Sequence, residues 1–303
     1  MSHPRSGRMT PAAWIAVAAA IFASLLASAG AQTAPRIERA GDAGARSVVL
    51  IPGLATPGAV WDGTVAALDG EADMHVVTLP GFGGEPPADY GDAGVIRTAV
   101  TALIAHAEAE GLNDLVLVGH SMGGQIALQI AAAMPDRVDA VIVVDSAPFY
   151  AGLFNPAATP EMARHQGAAM AAQLAGLPHD VYLGQMRRGL PVQSISAEGQ
   201  AQVMDWVSAS DQATVAAAFG EVAGADFSPV LPGVEADVTV LVAWAEGVPV
   251  SAPQLADIYR SQYDGLDAVN IRVVEGSRHF IMLDRAPAFH DIVTGIVLNG
   301  EGE

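Results

Sequence analysis

"LVLVGHSMGGQIAL", running from Leu115 to Leu128, decides how the rest of the chain is read. An apolar strand-like run stops at Gly119, and a helical pattern is established by Ile126, Ala127 and Leu128. Ser121 stands at the corner between them. So abrupt a change from strand to helix requires a strained turn, and the small residues Gly119 and Gly123 relieve the crowding around its centre. In Gly119-His120-Ser121-Met122-Gly123 the hydroxyl is expected to project above the carboxyl edge of a sheet. The Met122 N–H would face the same space. The helix that follows would aim its positive end there, which favours developing negative charge. A G-x-S-x-G run alone arises by chance, but between a strand and a helix it points to a nucleophile.

The flanking sequence supplies the matching elements. Before the corner come the strand patterns "SVVLI" and "MHVVTL", and the helical "GVIRTAVTALIAHAEAEG"; after it comes "DAVIVV", another strand. Strands alternating with helices predict a mostly parallel sheet flanked by helices. The alternation breaks after Asp145. From residue 146 to 237 the chain is rich in Ala, Gln and Met, and "TPEMARHQGAAMAAQLAG", "PHDVYLGQMRRG", "SAEGQAQVMDWVSAS" and "DQATVAAAFGEVAG" read as four short helices. "VTVLVAWA" and "VNIRVVEG" restore the strands, with "PQLADIYRSQY" and "APAFHDIVTGIVL" as helices. The expected organisation is an α/β core of residues 47–145 and 238–303, interrupted by a helical lid at 146–237. Residues 32–46 read as an N-terminal leader segment.

Composition narrows the function. The chain of 303 residues is 51% hydrophobic and 16% charged, which suits a substantial core. Its formal net charge is -19, and all 14 basic residues are arginine. Such a body repels phosphate backbones and anionic membranes, so a nucleic-acid partner is not expected. Without cysteine there is neither a disulfide nor a thiolate nucleophile or ligand. At the N-terminus, Arg5 and Arg8 precede the apolar run "AAWIAVAAAIFASLLASAGA", which ends in Ala29-Gly30-Ala31. That is the layout of a signal peptide at residues 1–31, implying an exported protein, periplasmic or secreted. An uncleaved membrane anchor is the alternative, because the run approaches spanning length. After signal removal no stable membrane insertion is expected.

With these residues in place, the sequence resembles the α/β-hydrolase family from about Arg46 to Leu298. The resemblance implies a serine hydrolase with a helical lid. In that family a glycine-containing loop after an early strand donates a second oxyanion hydrogen bond. The matching stretch here is Ile51-Pro52-Gly53-Leu54, which makes the N–H groups of Leu54 and Met122 the expected oxyanion hole. Pro52 stands where many members carry histidine. Trp61 matches a recurring family feature and reads as packing.

A serine hydroxyl needs a base. Of eight histidines, His279 in "VVEGSRHFIMLDRAPAF" matches the loop that carries the family's catalytic histidine. His3 falls in the expected signal. His75, His106, His165, His179 and His290 read as strand or helix residues far from the active edge, and His120 as pointing away from the serine. The acid departs from the pattern. Its commonest place, after "VTVLVAWA", holds Val248, which cannot orient an imidazolium. Two carboxylates remain as candidates: Asp145, ending "AVIVVD", and Glu246, two residues before the vacant position.

Rival chemistries fare worse. Dehalogenases and epoxide hydrolases of this family use a carboxylate nucleophile where this chain has Ser121. No H-E-x-x-H or paired Asp/His spacing calls for a metal, and no cofactor is implied. The lid's Met, Trp and Tyr residues read mainly as packing, with some methionines near Ser121 as substrate contacts. Arg187-Arg188 reads either as an attractor of an anionic group or as a solvated pair. The expected activity is cleavage of an ester or related acyl bond on a small-molecule substrate. C–C bond hydrolysis, perhydrolysis, or a weakly catalytic binding or sensory role on the same scaffold are the alternatives.

Overall fold

A computed structural model describes residues 34–300, and the expected signal at 1–31, with His3, lies outside the described residues. The β-branched runs form strands because their side chains are buried on both faces of a sheet. In chain order the elements are β1 (Arg36–Gly41), β2 (Arg46–Ile51), α1 (Asp62–Ala67), β3 (Ala72–Thr78), α2 (Gly94–Ala109), β4 (Leu115–His120), α3 (Met122–Ala133) and β5 (Val138–Val144). The insertion follows as α4 (Tyr150–Phe154), α5 (Pro160–Ala175), α6 (His179–Gln193), α7 (Ala197–Ala209) and α8 (Gln212–Gly224). The core resumes with β6 (Asp237–Trp244), α9 (Ala252–Gln262), β7 (Asn270–Glu275), α10 (Ile281–Asp284) and α11 (Ala286–Asn299).

The seven strands lie in the order β1-β3-β2-β4-β5-β6-β7. Every pairing is parallel except β1 with β3, where Arg39 faces His75 across an antiparallel ladder. Alternate residues enter two cores. Val49 and Ile51 pack with α2 and α3, while Val48 and Leu50 pack with Trp61 and with Phe289 and Val293 of α11. From β2 the chain goes to β3 on one side and then returns to β4 on the other. Strand order therefore reverses between β2 and β4, and such a reversal opens a crevice at the carboxyl ends of the two strands.

One reading needs correction. The segment 32–46, taken as a leader, contains β1, which joins the sheet at its edge. Its sequence, RIERAG, has no buried alternation to announce it. Its place is set by the ladder to β3 and by the Arg39 guanidinium, which donates from Nε and Nη2 to the two oxygens of buried Asp73 at 2.7 and 2.6 Å.

The helices of the insertion start where their caps predict. The side chains of Thr159, Ser196 and Asp211 accept from backbone N–H groups in the first turns of α5, α7 and α8. α5 and α8 cross tightly at Gly167, where a Cβ would strike the Gly220 carbonyl oxygen. The short α4 adds a turn of helix that the sequence pattern does not announce. Among the described residues no helix is long and apolar enough to cross a membrane.

Candidate active site

The two glycines around Ser121 are there because backbone fills the space where side chains would go. A Cβ on Gly119 would collide with the Gly123 carbonyl oxygen, and one on Gly123 with that of Ile51. Helix α3 is thereby pressed against the end of β2. Ser121 takes φ 53° and ψ -119°, a conformation that L-residues rarely adopt. It is held there by its own N–H, which donates to the Val144 carbonyl at 2.9 Å and extends the β4–β5 ladder by one residue. Met122 begins α3, so its N–H has no acceptor within the helix. In the facing loop, Thr56 Oγ1 donates to the Leu54 carbonyl at 2.9 Å and fixes the orientation of that segment. Leu54 and Ser121 line the same cavity.

Asp145 follows β5 directly, at φ 47°, the same left-handed region. Its N–H donates to the Leu241 carbonyl at 2.8 Å, and its side chain turns over the end of β6. There Oδ1 accepts from the Ala243 N–H at 3.0 Å and from the Tyr259 hydroxyl at 3.2 Å, while Oδ2 accepts from His279 Nδ1–H at 2.7 Å. Burial, and then the nearby Asp145 charge, pushes the Tyr259 phenol well above its ordinary range, so it remains a donor. Glu246 is exposed, and the contact it makes with this region runs through its backbone carbonyl, which accepts from the Arg278 guanidinium at 2.9 Å. Of the two candidate carboxylates, Asp145 is the one brought to His279.

His120 is the residue that sequence reasoning undervalued. Its ring packs on His279, with ring centroids 4.6 Å apart. Nε2–H donates to the His279 carbonyl at 3.0 Å, which assigns the proton to that nitrogen because a carbonyl only accepts. Complete burial, and secondarily the neighbouring His279, holds its pKa well below the usual histidine range. His120 is therefore a neutral prop beneath the loop that carries His279. Its position beside Ser121 was the available signal, but which way the ring turns depends on Phe280, 4.6 Å away between centroids. Trp61 is fully buried and stacks on Phe289, as a packing residue would.

Ser121, His279 and Asp145 share the wall of one cavity of about 740 Å³. The sheet edge forms its floor, and helices α4 to α8 supply its other walls, through Phe154, Met170, Met186, Val207 and Phe219 among others. Apart from histidine, the charged side chains in that wall are Asp145 and Arg278. Arg187 and Arg188 are exposed and lie outside it. Among the described residues no hydrogen bond joins the Ser121 hydroxyl to His279, although both line the cavity. The lining is mainly apolar, with Gln173, Gln185 and Gln193 of the insertion adding polar groups besides those around Ser121.

A model of the alpha/beta hydrolase family matches residues 48–292. The chain belongs to this family. Among curated alpha/beta hydrolases and related enzymes, it is 36% identical over 103 residues to a pimeloyl-[acyl-carrier protein] methyl ester esterase of Aeromonas hydrophila, a match covering 34% of this chain and 39% of that one. It is 33% identical over 111 residues to Lipase LipV of Mycobacterium tuberculosis, covering 37% and 41%. The matched region thus spans about two fifths of the length of these curated relatives. An esterase from Exiguobacterium antarcticum shares the fold with a TM-score of 0.71 at 16% identity, over 88% of this chain and 97% of that one. An enol-lactonase from Burkholderia xenovorans does so with a TM-score of 0.66 at 19% identity, over 86% and 95%.

Proposed function

We propose that this member of the family is an exported serine hydrolase that cleaves esters bearing an apolar acyl group. The observation that carries the reading is the His279–Asp145 hydrogen bond of 2.7 Å, in the same cavity wall as a serine at a strained strand–helix turn. The similarity to an esterase and a lipase supports the choice of an ester over other acyl bonds. The N-terminal run ending in Ala29-Gly30-Ala31 supports export.

In this mechanism Ser121 Oγ attacks the ester carbonyl carbon as its proton passes to His279 Nε2. The carbonyl electron pair moves onto oxygen, where the Leu54 and Met122 N–H groups meet the negative charge. The tetrahedral intermediate collapses, the alkoxide leaves with the proton from His279, and an acyl-serine remains. Water, activated by the same imidazole, repeats the sequence and frees the acid. Asp145 keeps Nδ1 protonated, so that Nε2 is the basic nitrogen, and stabilises the imidazolium. The Val248 position need not carry the acid, which removes the motive for a purely binding role.

The test is labelling by a fluorophosphonate followed by a series of p-nitrophenyl esters. Purified protein should form an adduct that Ser121→Ala abolishes, and butanoate to decanoate esters should be hydrolysed faster than acetate. A folded protein that takes no label would refute the reading. An adduct without turnover of any ester would redirect it to C–C bond hydrolysis or perhydrolysis.

A further inference from the structure

We propose that Asp284 is a positioning residue for His279, clipping the loop that bears the imidazole to the helical insertion. The inference rests on the reading of His279 as the general base, but its geometry stands separately. The backbone N–H groups that tie the loop after β7 to the sheet lie at its start. Gly276 and Ser277 donate their N–H groups to the Trp244 carbonyl at 2.7 and 3.2 Å, and beyond that point the chain leaves the sheet.

The backbone N–H groups of the residues on either side of His279 are both held. The Arg278 N–H donates to Asp284 Oδ2 at 2.8 Å, and the Phe280 N–H donates to the Gln193 carbonyl at 2.9 Å. Helix α10 brings Asp284 back to the loop, its first turn closed by the Leu283 and Asp284 N–H groups on the Phe280 carbonyl. Asp284 Oδ1 meanwhile accepts from the hydroxyl of fully buried Ser194 at 2.7 Å and from the Ile195 N–H at 3.0 Å. One carboxylate thus joins the histidine loop to the α6–α7 junction of the insertion. Arg278 is 6 positions from Asp284, whereas Ser194 and Ile195 are 90 and 89 positions away, so the carboxylate gathers three donors from two segments distant from each other.

The consequence concerns where Nε2 sits. His279 Nδ1 is engaged by Asp145, and its carbonyl by His120. Its neighbours are held by Asp284 and by the end of α6. Among the described residues Nε2 is the polar group of the imidazole without a partner, at a position set jointly by the sheet and the insertion. Asp284 does not line the cavity, so it acts through the loop and not on substrate.

Asp284→Asn tests this, because an amide NH₂ replaces one acceptor and faces a backbone N–H. Turnover of the best p-nitrophenyl ester should fall about 10- to 100-fold in kcat with KM within about twofold, as expected for a misplaced catalytic group. The downfield ¹H resonance of His279 Nδ1–H should shift or broaden, whereas the far-UV spectrum stays unchanged. Asp284→Glu, which keeps the acceptors, should recover part of the loss. Folded Asp284→Asn with unaltered kcat and an unmoved resonance would overturn the assignment. If that variant does not fold, Ser194→Ala decides, since it removes one of the three donors: a changed resonance supports the clip and an identical one overturns it. Absence of ester turnover in the parent protein would refute the hydrolase reading instead, and the resonance would still report on Asp284.

Discussion

Ser121 and Asp145 share an unusual backbone state, with φ of 53° and 47°, at the ends of the adjacent parallel strands β4 and β5. Holding a non-glycine residue there costs about 1–3 kcal/mol each. Each residue is anchored by one further ladder bond to the next strand, Ser121 to Val144 and Asp145 to Leu241. The two turns do different things. At Ser121 the turn starts a helix, and at Asp145 it carries the side chain sideways over β6 toward His279. Asp145→Asn should lower kcat by about 10²–10⁴-fold, since an amide can no longer hold Nδ1 protonated and stabilise the imidazolium. Glu246→Gln should leave kcat within about twofold, because the Glu246 side chain is exposed and only its carbonyl contacts the region. Steady-state kinetics on one ester decides between them, and the reverse ranking would reinstate Glu246 as the acid. The serine was legible because its signal is local: two glycines and a change of period within a few residues. Asp145 was one of two candidates because its partner lies 134 positions away.

Among the elements, α2 and the insertion share an apolar interface and a half-buried carboxylate that bridges them. Gly94 enters α2 at φ 77° and the residue before it provides no side-chain cap. Glu221 of α8 fills that role from across the interface, accepting from the Val95 and Ile96 N–H groups at 2.8 and 2.9 Å. Burial pushes its pKa up, and the two amides pull against that shift. Glu221→Ala should therefore destabilise the protein by about 1–2 kcal/mol, the range for losing a cap with its amides left buried. Urea denaturation at neutral pH measures it, and an unchanged midpoint would mean that solvent caps α2 equally well. The helices themselves could be read from the sequence, since Thr159, Ser196 and Asp211 are caps beside their own first turns. The contact between α8 and α2 could not, and neither could β1, whose exposed edge leaves no apolar alternation.

For the whole molecule, burial lowers the pKa of His75, His106, His120 and His290. In each the folded state disfavours the proton that the unfolded chain accepts near pH 6.5. The unfolded state then binds more protons as pH falls through that value, so this stability is complete above it and declines below it. His75 and His106 are linked ring to ring, His106 Nε2 to His75 Nδ1 at 3.0 Å, in contact with the Asp73–Arg39 pair that pins β1. The melting temperature should drop between pH 7.5 and 5.5, with a shallower slope in His106→Gln. A flat or rising profile in the parent would show that relief of repulsion in this acidic body outweighs histidine protonation.

By itself the sequence determined the alternation of strands and helices, the break after Asp145, and the corner that displays Ser121. Each of these depends on periodicity, turn residues or steric crowding among neighbours a few positions apart. Tertiary structure alone decided which carboxylate meets His279, that His120 and Asp284 brace its loop, and that residues 36–41 complete the sheet. Those outcomes rest on hydrogen bonds between segments distant along the chain. Such bonds are directional and form only once packing has fixed where both partners stand.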